Sequence, residues 1–289
     1  MKRILITGAG SYIGENVKVY VDKKEPGWYV ETLDMQVPEW KQYDFCGYDV
    51  VFHVAGIAHA DVSAVTDDVK QMYYDVNTKL AIETAAKAKE EGVQQFILMS
   101  SMIVYGGAEY IDANTEPRPT NFYGDSKWQA DKGVRELADD GFKVVVLRPP
   151  MIYGKDSKGN YPVLAKMAGE LPVFPKVNNK RSMLYIENLC EFVRLMIANE
   201  EQGVFCPQNN RTINTSEMVA LIAAQRKHKI WVTSMLTPIV WIGKCVPGKI
   251  GNLCRKAFGS SYYDSVLSAY RCPYCVCSIE ESIRRTEGV

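Results

Sequence analysis

An unalternating apolar run from Lys2 to Thr7 breaks into Gly8-Ala9-Gly10-Ser11-Tyr12-Ile13-Gly14, then resumes as Ile13, Val17, Tyr20 and Val21 at helical spacing. Such a run is a strand buried on both faces, which belongs to a parallel sheet covered by helices. Between strand and helix the glycines have separate tasks. Gly8 and Gly10 permit a tight turn and close backbone approach to a pyrophosphate, and Gly14 lets the helix pack on the strand. The helix start at Ser11, Tyr12 and Ile13 offers unpaired N–H groups and a partial positive charge to an anion. Asp34 lies 20 residues after Gly14, at the end of a second strand, Tyr29 to Leu33. A carboxylate there accepts both ribose hydroxyls of a dinucleotide and repels a 2′-phosphate, which favours NAD over NADP. No basic residue in the turn or just after Asp34 would welcome that phosphate.

The same alternation continues. Val50 to Val54 is a strand ending in Ala55-Gly56, and Tyr73 to Glu90 is a helix whose Ala81, Ala85, Ala86 and Ala88 allow close packing. Phe96 to Met99 is a strand ending in Ser100-Ser101, Phe122 to Ala138 a helix, and Lys143 to Leu147 a strand ending in Arg148-Pro149-Pro150. Strands alternating with helices imply right-handed crossovers and an α/β fold: a Rossmann-type, doubly wound parallel sheet. After Tyr153 glycine, asparagine, lysine and proline become frequent through Lys180; Met183 to Ile186 then reads as a strand and Leu189 to Ala198 as a helix. The expected division is a dinucleotide-binding domain over 1–153 and 183–205, and a smaller, mostly helical substrate lobe over 154–182 and 206–289.

Composition removes several classes. The 289 residues hold 34 Lys plus Arg and 34 Asp plus Glu, so there is no basic excess to bind nucleic acid. The apolar run after the N-terminal Lys2-Arg3 is shorter than the ~7–15 residues of a secretory signal, so a cytoplasmic location is expected. No stretch of ~18 uncharged apolar residues predicts a spanning helix, and no stable membrane insertion is expected. The nearest approach, Ile230 to Val246, reads as a buried or interface helix pair, with a membrane surface as the alternative. Eight scattered cysteines read as reduced core residues. Cys272, Cys275 and Cys277 form one hook plus a spare thiol rather than a zinc site, and no metal is expected.

Tyr123 and Lys127 stand four residues apart on a predicted helix, hence on one face. A nearby ammonium lowers a phenol pKa from its reference of ~10. The phenolate then takes a proton from a substrate hydroxyl while hydride leaves the same carbon. Ser101, at a strand end, can hydrogen-bond the same oxygen.

With TGAGSYIG, VFHVAG, Asn77 in YDVN, SSMIVYG, YGDSK and LRPPMIYG in place, the chain resembles the NAD-dependent epimerase/dehydratase family of extended short-chain dehydrogenases/reductases, its UDP-sugar 4-epimerases in particular. The resemblance covers most of 1–205 and fades beyond. It implies that Ser101, Tyr123 and Lys127 are the catalytic trio and that Asn77 supports the lysine. Ala55 and Gly56 would line the cofactor, Pro149 would sit beside the nicotinamide, and Ser101 and Met102 would face the sugar. In the second lobe it places Asn160 and Arg181 near the substrate diphosphate, where a guanidinium fork suits two phosphate oxygens, and Val173 and Phe174 against uracil. Family members often dimerise through the helices here at about 73–90 and 122–138, so a homodimer is possible.

Two departures matter. Ser11 replaces a family glycine, and its hydroxyl can still bond phosphate. Met102-Ile103 stands where 4,6-dehydratases carry an Asp-Glu pair, and neither side chain can move a proton, which disfavours dehydration. The remaining chemistry is oxidation or reduction at carbon 4; the resemblance implies a 4-epimerase serving polysaccharide biosynthesis, with a 4-ketoreductase or 4-dehydrogenase on a 6-deoxy nucleotide sugar as the alternative. His53 reads as a core histidine, His59 as a helix-start or surface residue, His228 as part of a solvated basic loop, and Tyr105 as a residue that can shape the sugar pocket.

Overall fold

The structure, a computed structural model, describes residues 1–58 and 66–288. His59 lies outside the described residues. The first half runs β1 (Arg3–Thr7), α1 (Tyr12–Lys24), β2 (Tyr29–Leu33), β3 (Val50–His53), α2 (Asp67–Tyr73), α3 (Leu80–Glu90), β4 (Gln95–Met99), β5 (Tyr110–Ile111) and α4 (Phe122–Arg135). It continues with β6 (Lys143–Leu147), β7 (Met151–Tyr153), α5 (Asn160–Glu170), β8 (Val173–Pro175), β9 (Met183–Tyr185), α6 (Ile186–Ala198) and β10 (Gly203–Phe205). The last third holds α7 (Thr215–Gln225), β11 (Trp231–Thr233), α8 (Thr237–Cys245), α9 (Lys249–Phe258), β12 (Tyr262–Tyr263) and α10 (Ile279–Glu287).

The main sheet has the order β10-β6-β4-β3-β1-β2 and every pair in it is parallel. From β1 the chain moves first to β2 on one side and then to β3 on the other. The crevice at the C-terminal ends of β1 and β3 is therefore the topological switch point, where open α/β sheets bind ligands. The central strands are buried on both faces, which explains their lack of alternation. One face packs with α1 and α6 into a large core containing Ile4, Ile6, Phe52, Val193 and Ile197. The other packs with α3 and α4 around Leu5, Val51, Phe96, Ala85 and Ala130. Here Ala81, Ala85 and Ala88 are buried, and a Cβ on Gly133 of α4 would stand 2.4 Å from Ile82 Cδ1. Small residues let these two helices approach closely.

The helix predicted over 73–90 begins at Asp67, where Thr66 Oγ1 accepts the Val69 N–H, and it widens into a π-helical turn over Tyr74–Lys79. The helix after β9 begins at Ile186 rather than Leu189, so the preceding strand is shorter than expected. Of three smaller two-stranded pairs, β7 with β9 closes within the middle of the chain, while β8 with β11 and β5 with β12 tie the C-terminal third to earlier segments. Ile230 to Val246 is not a buried helix pair. It is a strand, a short 3-10 turn and one helix, and Trp231, Met235, Ile239, Trp241 and Ile242 are each more than half exposed. All eight cysteines are free, with Cys277 buried and Cys272 and Cys275 half-buried.

A buried ion pair braces the sheet end beneath the site. Arg148 donates to Asp131 at 2.7 and 3.1 Å and to the Tyr105 hydroxyl at 2.7 Å, and it packs over the Tyr105 and Trp128 rings. Tyr105 is thereby a core residue rather than a wall of a sugar pocket. Removing one partner of such a pair leaves a buried charge poorly compensated. Arg148→Met is expected to lower unfolding free energy by about 3 kcal/mol, measured by urea denaturation at neutral pH.

Candidate active site

The glycine turn leaves β1 with Gly8 at φ +120° and Gly10 at φ +72°, conformations that favour glycine. A Cβ on Gly8 would sit 2.9 Å from the Ala55 backbone nitrogen. The turn and the loop after β3 thus meet across the switch point, where Val54 and Ala55 N–H both donate to Thr7 O. A Cβ on Gly14 would meet Ile6 and Val54 side chains at 3.2 Å, so α1 lies on β1 only with glycine there. Ser11 is the N-cap of α1, its Oγ accepting the Gly14 N–H. The Tyr12 side chain runs the other way, its buried hydroxyl lying where a Cβ on Gly154 would meet it. Any contact of Tyr12 or Ile13 with a phosphate in the turn is through backbone. Around Gly10 the space is open, with nothing within 4 Å of an added Cβ. The Gly10 N–H donates to the exposed carboxylate of Glu15 at 2.9 Å. Asp34 is exposed at the end of β2, and its Oδ1 accepts the Gln36 N–H.

The second half of the site gathers at the ends of β3 and β4. Lys127 is 8% exposed, and its Nζ donates to the Met99 carbonyl at 3.2 Å. A Cβ on Gly56 would lie 2.8 Å from that Nζ and 2.9 Å from Asn77 Oδ1, so the loop passes only as glycine. Asn77 belongs to the π-helical turn, a feature often found at functional sites. Its Oδ1 accepts the Ile57 N–H, and its Nδ2 donates to Ile57 O and to Ser126 Oγ. Asn77 therefore holds the loop at Ile57 and stands beside the lysine. His53 is buried, bonded through Nδ1 to Thr7 Oγ1 and stacked on Phe96. Burial, with Lys127 nearby, pulls its pKa down to about 3, so it stays neutral as a core histidine.

Ser101 caps the 3-10 turn after β4 through the Ile103 N–H, and it lies near the Tyr123 phenol. Burial pushes the phenol up to about 12, with Ser101 acting against that rise. Burial pulls the Lys127 ammonium down to about 8. Lys127 Nζ thus lies between the Met99 carbonyl and the Gly56 loop, at the same strand end as Ser101. Pro149 is buried, and its carbonyl accepts the Met102 N–H at 2.9 Å, which fixes the catalytic loop to the end of β6.

A cavity is lined by Asn160, Arg181, Met151, Met183, Lys256 and Phe258, among others. Asn160 is exposed at the start of α5. Arg181 Nη1 donates to the carbonyls of Lys256 and Gly259, and the guanidinium has no carboxylate partner among the described residues. Val173 and Phe174 do not reach this cavity. Val173 pairs with Trp231 across β8 and β11, and Phe174 is buried against Phe258. Ser261, unremarked in the sequence, bridges the two regions: it pairs with Arg181, and its hydroxyl reaches Met102 Sδ at 3.4 Å. No local motif marks it, since its partners are about 80 and 159 residues away.

The fold and site define a dinucleotide-dependent α/β oxidoreductase of the short-chain type. Residues 4–206 match the model of the NAD dependent epimerase/dehydratase family, and the chain belongs to that family. It is similar to an N-acetyl-alpha-D-glucosaminyl-diphospho-ditrans,octacis-undecaprenol 4-epimerase of Escherichia coli O157:H7, 27% identical over 90% of this chain and 82% of the relative. It is similar as well to a UDP-glucose 4-epimerase of Vibrio cholerae, 29% identical over 90% of this chain and 83% of that one. Among solved structures, a dTDP-4-dehydrorhamnose reductase of Bacillus anthracis in complex with NADP shares the fold with a TM-score of 0.72. That structure is 19% identical and covers 99% of this chain and 98% of its own.

Two outcomes follow from the electrostatics. Glu15 places a carboxylate on an N–H of the turn that would face a pyrophosphate, so Glu15→Gln is expected to tighten NAD binding about threefold to tenfold, read by calorimetric titration. Lys127 costs stability at neutral pH. As pH rises past about 8 the folded lysine loses its proton, while the unfolded one keeps it to ~10.4; the folded state then binds fewer protons and stability increases. Lys127→Met is expected to abolish that increase and to stabilise the fold by roughly 2–3 kcal/mol at pH 7, compared by urea unfolding at pH values of about 7 and 10.

Proposed function

We propose that the chain is an NAD-dependent epimerase acting at carbon 4 of a UDP-sugar. The observation that carries the reading is the gathering of Ser101, Tyr123 and a buried Lys127 at the end of β4, with no proton-transferring side chain at Met102 or Ile103. The open turn at Gly10 and the glycine-only passage at Gly56 fit a dinucleotide. Gly8 to Gly14 would hold its pyrophosphate, Asp34 its ribose, and Ala55, Gly56 and Pro149 its nicotinamide end. Bound there, NAD supplies a reversible hydride acceptor.

The chain's own residues do the proton work. Tyr123 Oη removes the proton from the carbon-4 hydroxyl and returns it after the sugar has turned. Ser101 Oγ orients that oxygen and shares the charge. Lys127, when protonated, sets a positive charge beside the reacting groups, which favours the ionised phenol. Arg181 offers its unpaired guanidinium N–H groups to the diphosphate, and Asn160 stands at the same rim.

A second reading of the carrier rests on a specific observation. Val173 and Phe174, expected against uracil, are not among the residues that line the cavity. A cavity with one uncompensated arginine and mostly apolar walls suits a diphosphate on an apolar carrier, as in the polyprenol-linked sugar for which the Escherichia coli relative is named. The 4-ketoreductase alternative differs in consuming reduced cofactor stoichiometrically.

Purified protein supplied with NAD is expected to interconvert UDP-glucose and UDP-galactose, or their N-acetyl forms, or the same sugars on a short polyprenyl diphosphate, without net cofactor change. Tyr123→Phe is expected to lower kcat by about 10²–10⁴-fold while NAD affinity is kept. Absence of interconversion for every carrier in protein with bound NAD overturns the reading. Homodimerisation through α3 and α4 belongs to the same reading and is checked by sedimentation velocity.

A further inference from the structure

The segment between Glu217 and Asp264 is unlike the rest of the chain. Its 46 residues carry seven basic residues and no acidic one, in a protein whose charges otherwise balance. Within it, an apolar face stands in solvent. Trp231, Met235, Ile239, Trp241 and Ile242 are 62, 76, 64, 69 and 59% exposed, and Val246 extends the patch. Single exposed apolar residues are ordinary, but a contiguous patch with two tryptophans marks an interaction surface. On α8 only Val240 is buried, and the helix is fastened from below: Thr237 Oγ1 donates to Lys176 O. Its inner side meets α9, where a Cβ on Gly243 would lie 2.8 Å from Cys254 Sγ. Cys254, Lys256 and Phe258 of α9 also line the cavity that holds Arg181. The exposed face is therefore the outer surface of that cavity's wall.

We propose that β11 and α8 form a docking face for an anionic phospholipid bilayer, which brings the wall of the Arg181 cavity to the membrane surface. The chemistry favours lipid over other occupants. Tryptophan, isoleucine and methionine gain by entering the headgroup and acyl boundary, and flanking lysines gain from anionic headgroups. Lys227, Lys229 and Lys244 have no carboxylate partner among the described residues. A second copy of the same face would bring like charges together, and a polyphosphate chain would leave the aliphatic side chains uncovered. No helix among the described residues is long and apolar enough to cross a membrane, so the contact is peripheral. The inference is independent of which sugar the site turns over, and its failure leaves the carbon-4 reading intact.

The test is co-sedimentation of the full chain with vesicles of phosphatidylglycerol and phosphatidylethanolamine, beside vesicles of phosphatidylcholine alone. Wild type is expected to bind the anionic vesicles, to shift its tryptophan emission to the blue, and to release as salt is raised. Trp241→Ser combined with Ile242→Ser is expected to lower the bound fraction about tenfold, with circular dichroism and turnover of a water-soluble UDP-sugar unchanged. Should that variant misfold, Lys227→Gln with Lys229→Gln is expected to weaken binding to the anionic vesicles. Failure of wild type to bind anionic vesicles, undiminished binding by the folded variants, or a wild-type dimer that the double serine variant converts to monomer overturns the proposal.

Discussion

Everything at the site depends on a cation held away from water. Lys127 reaches its place because four segments close around it: the carbonyl at the end of β4, the glycine after β3, the π-helical turn that carries Asn77, and α4 itself. Burying an ammonium costs several kcal/mol even after relaxation, and one carbonyl bond offsets little of it. The cost has a chemical consequence. Burial alone drives the lysine down to about 8 and the neighbouring phenol up to about 12, so the uncharged form of each is favoured. Ionisation of one becomes cheaper when the other, or a bound group, supplies opposite charge.

The frame that holds this arrangement is the parallel sheet and its change of direction at β1. Gly8 and Ala55 touch there, and the same loop continues to Gly56 against the lysine. The dinucleotide turn and the proton-handling residues are thus two ends of one packed contact. Arg148 and Asp131, buried together below, hold the strand end that carries Pro149 and the helix that carries Lys127. Ser261 touches Met102 beside Ser101 and pairs with Arg181 at the cavity. The cavity and the loop after β4 are linked through that strand-like contact rather than through any continuous motif.

The sheet, the glycine turn, Asp34 and the Tyr123–Lys127 pair were legible because each is local: a run, a spacing, one turn of helix. Other features were not. Tyr105 follows the catalytic strand and looks available to a sugar, yet a buried arginine claims its hydroxyl. Val173 and Phe174 occupy a familiar segment, but pairing with β11 carries them out of the cavity. The apolar composition of α8 reads equally as core or as surface, since a sequence does not say whether another element covers a face.

The sequence by itself determined the fold class and the chemical groups on offer, because hydrophobic periodicity and backbone permissiveness act over a few residues. Tertiary structure alone decided which of those groups meet and what charge they carry. Burial and hydrogen bonding come from segments far apart in the chain, and they set the lysine, the phenol and the carbonyl-bonded Arg181 apart from the many like them.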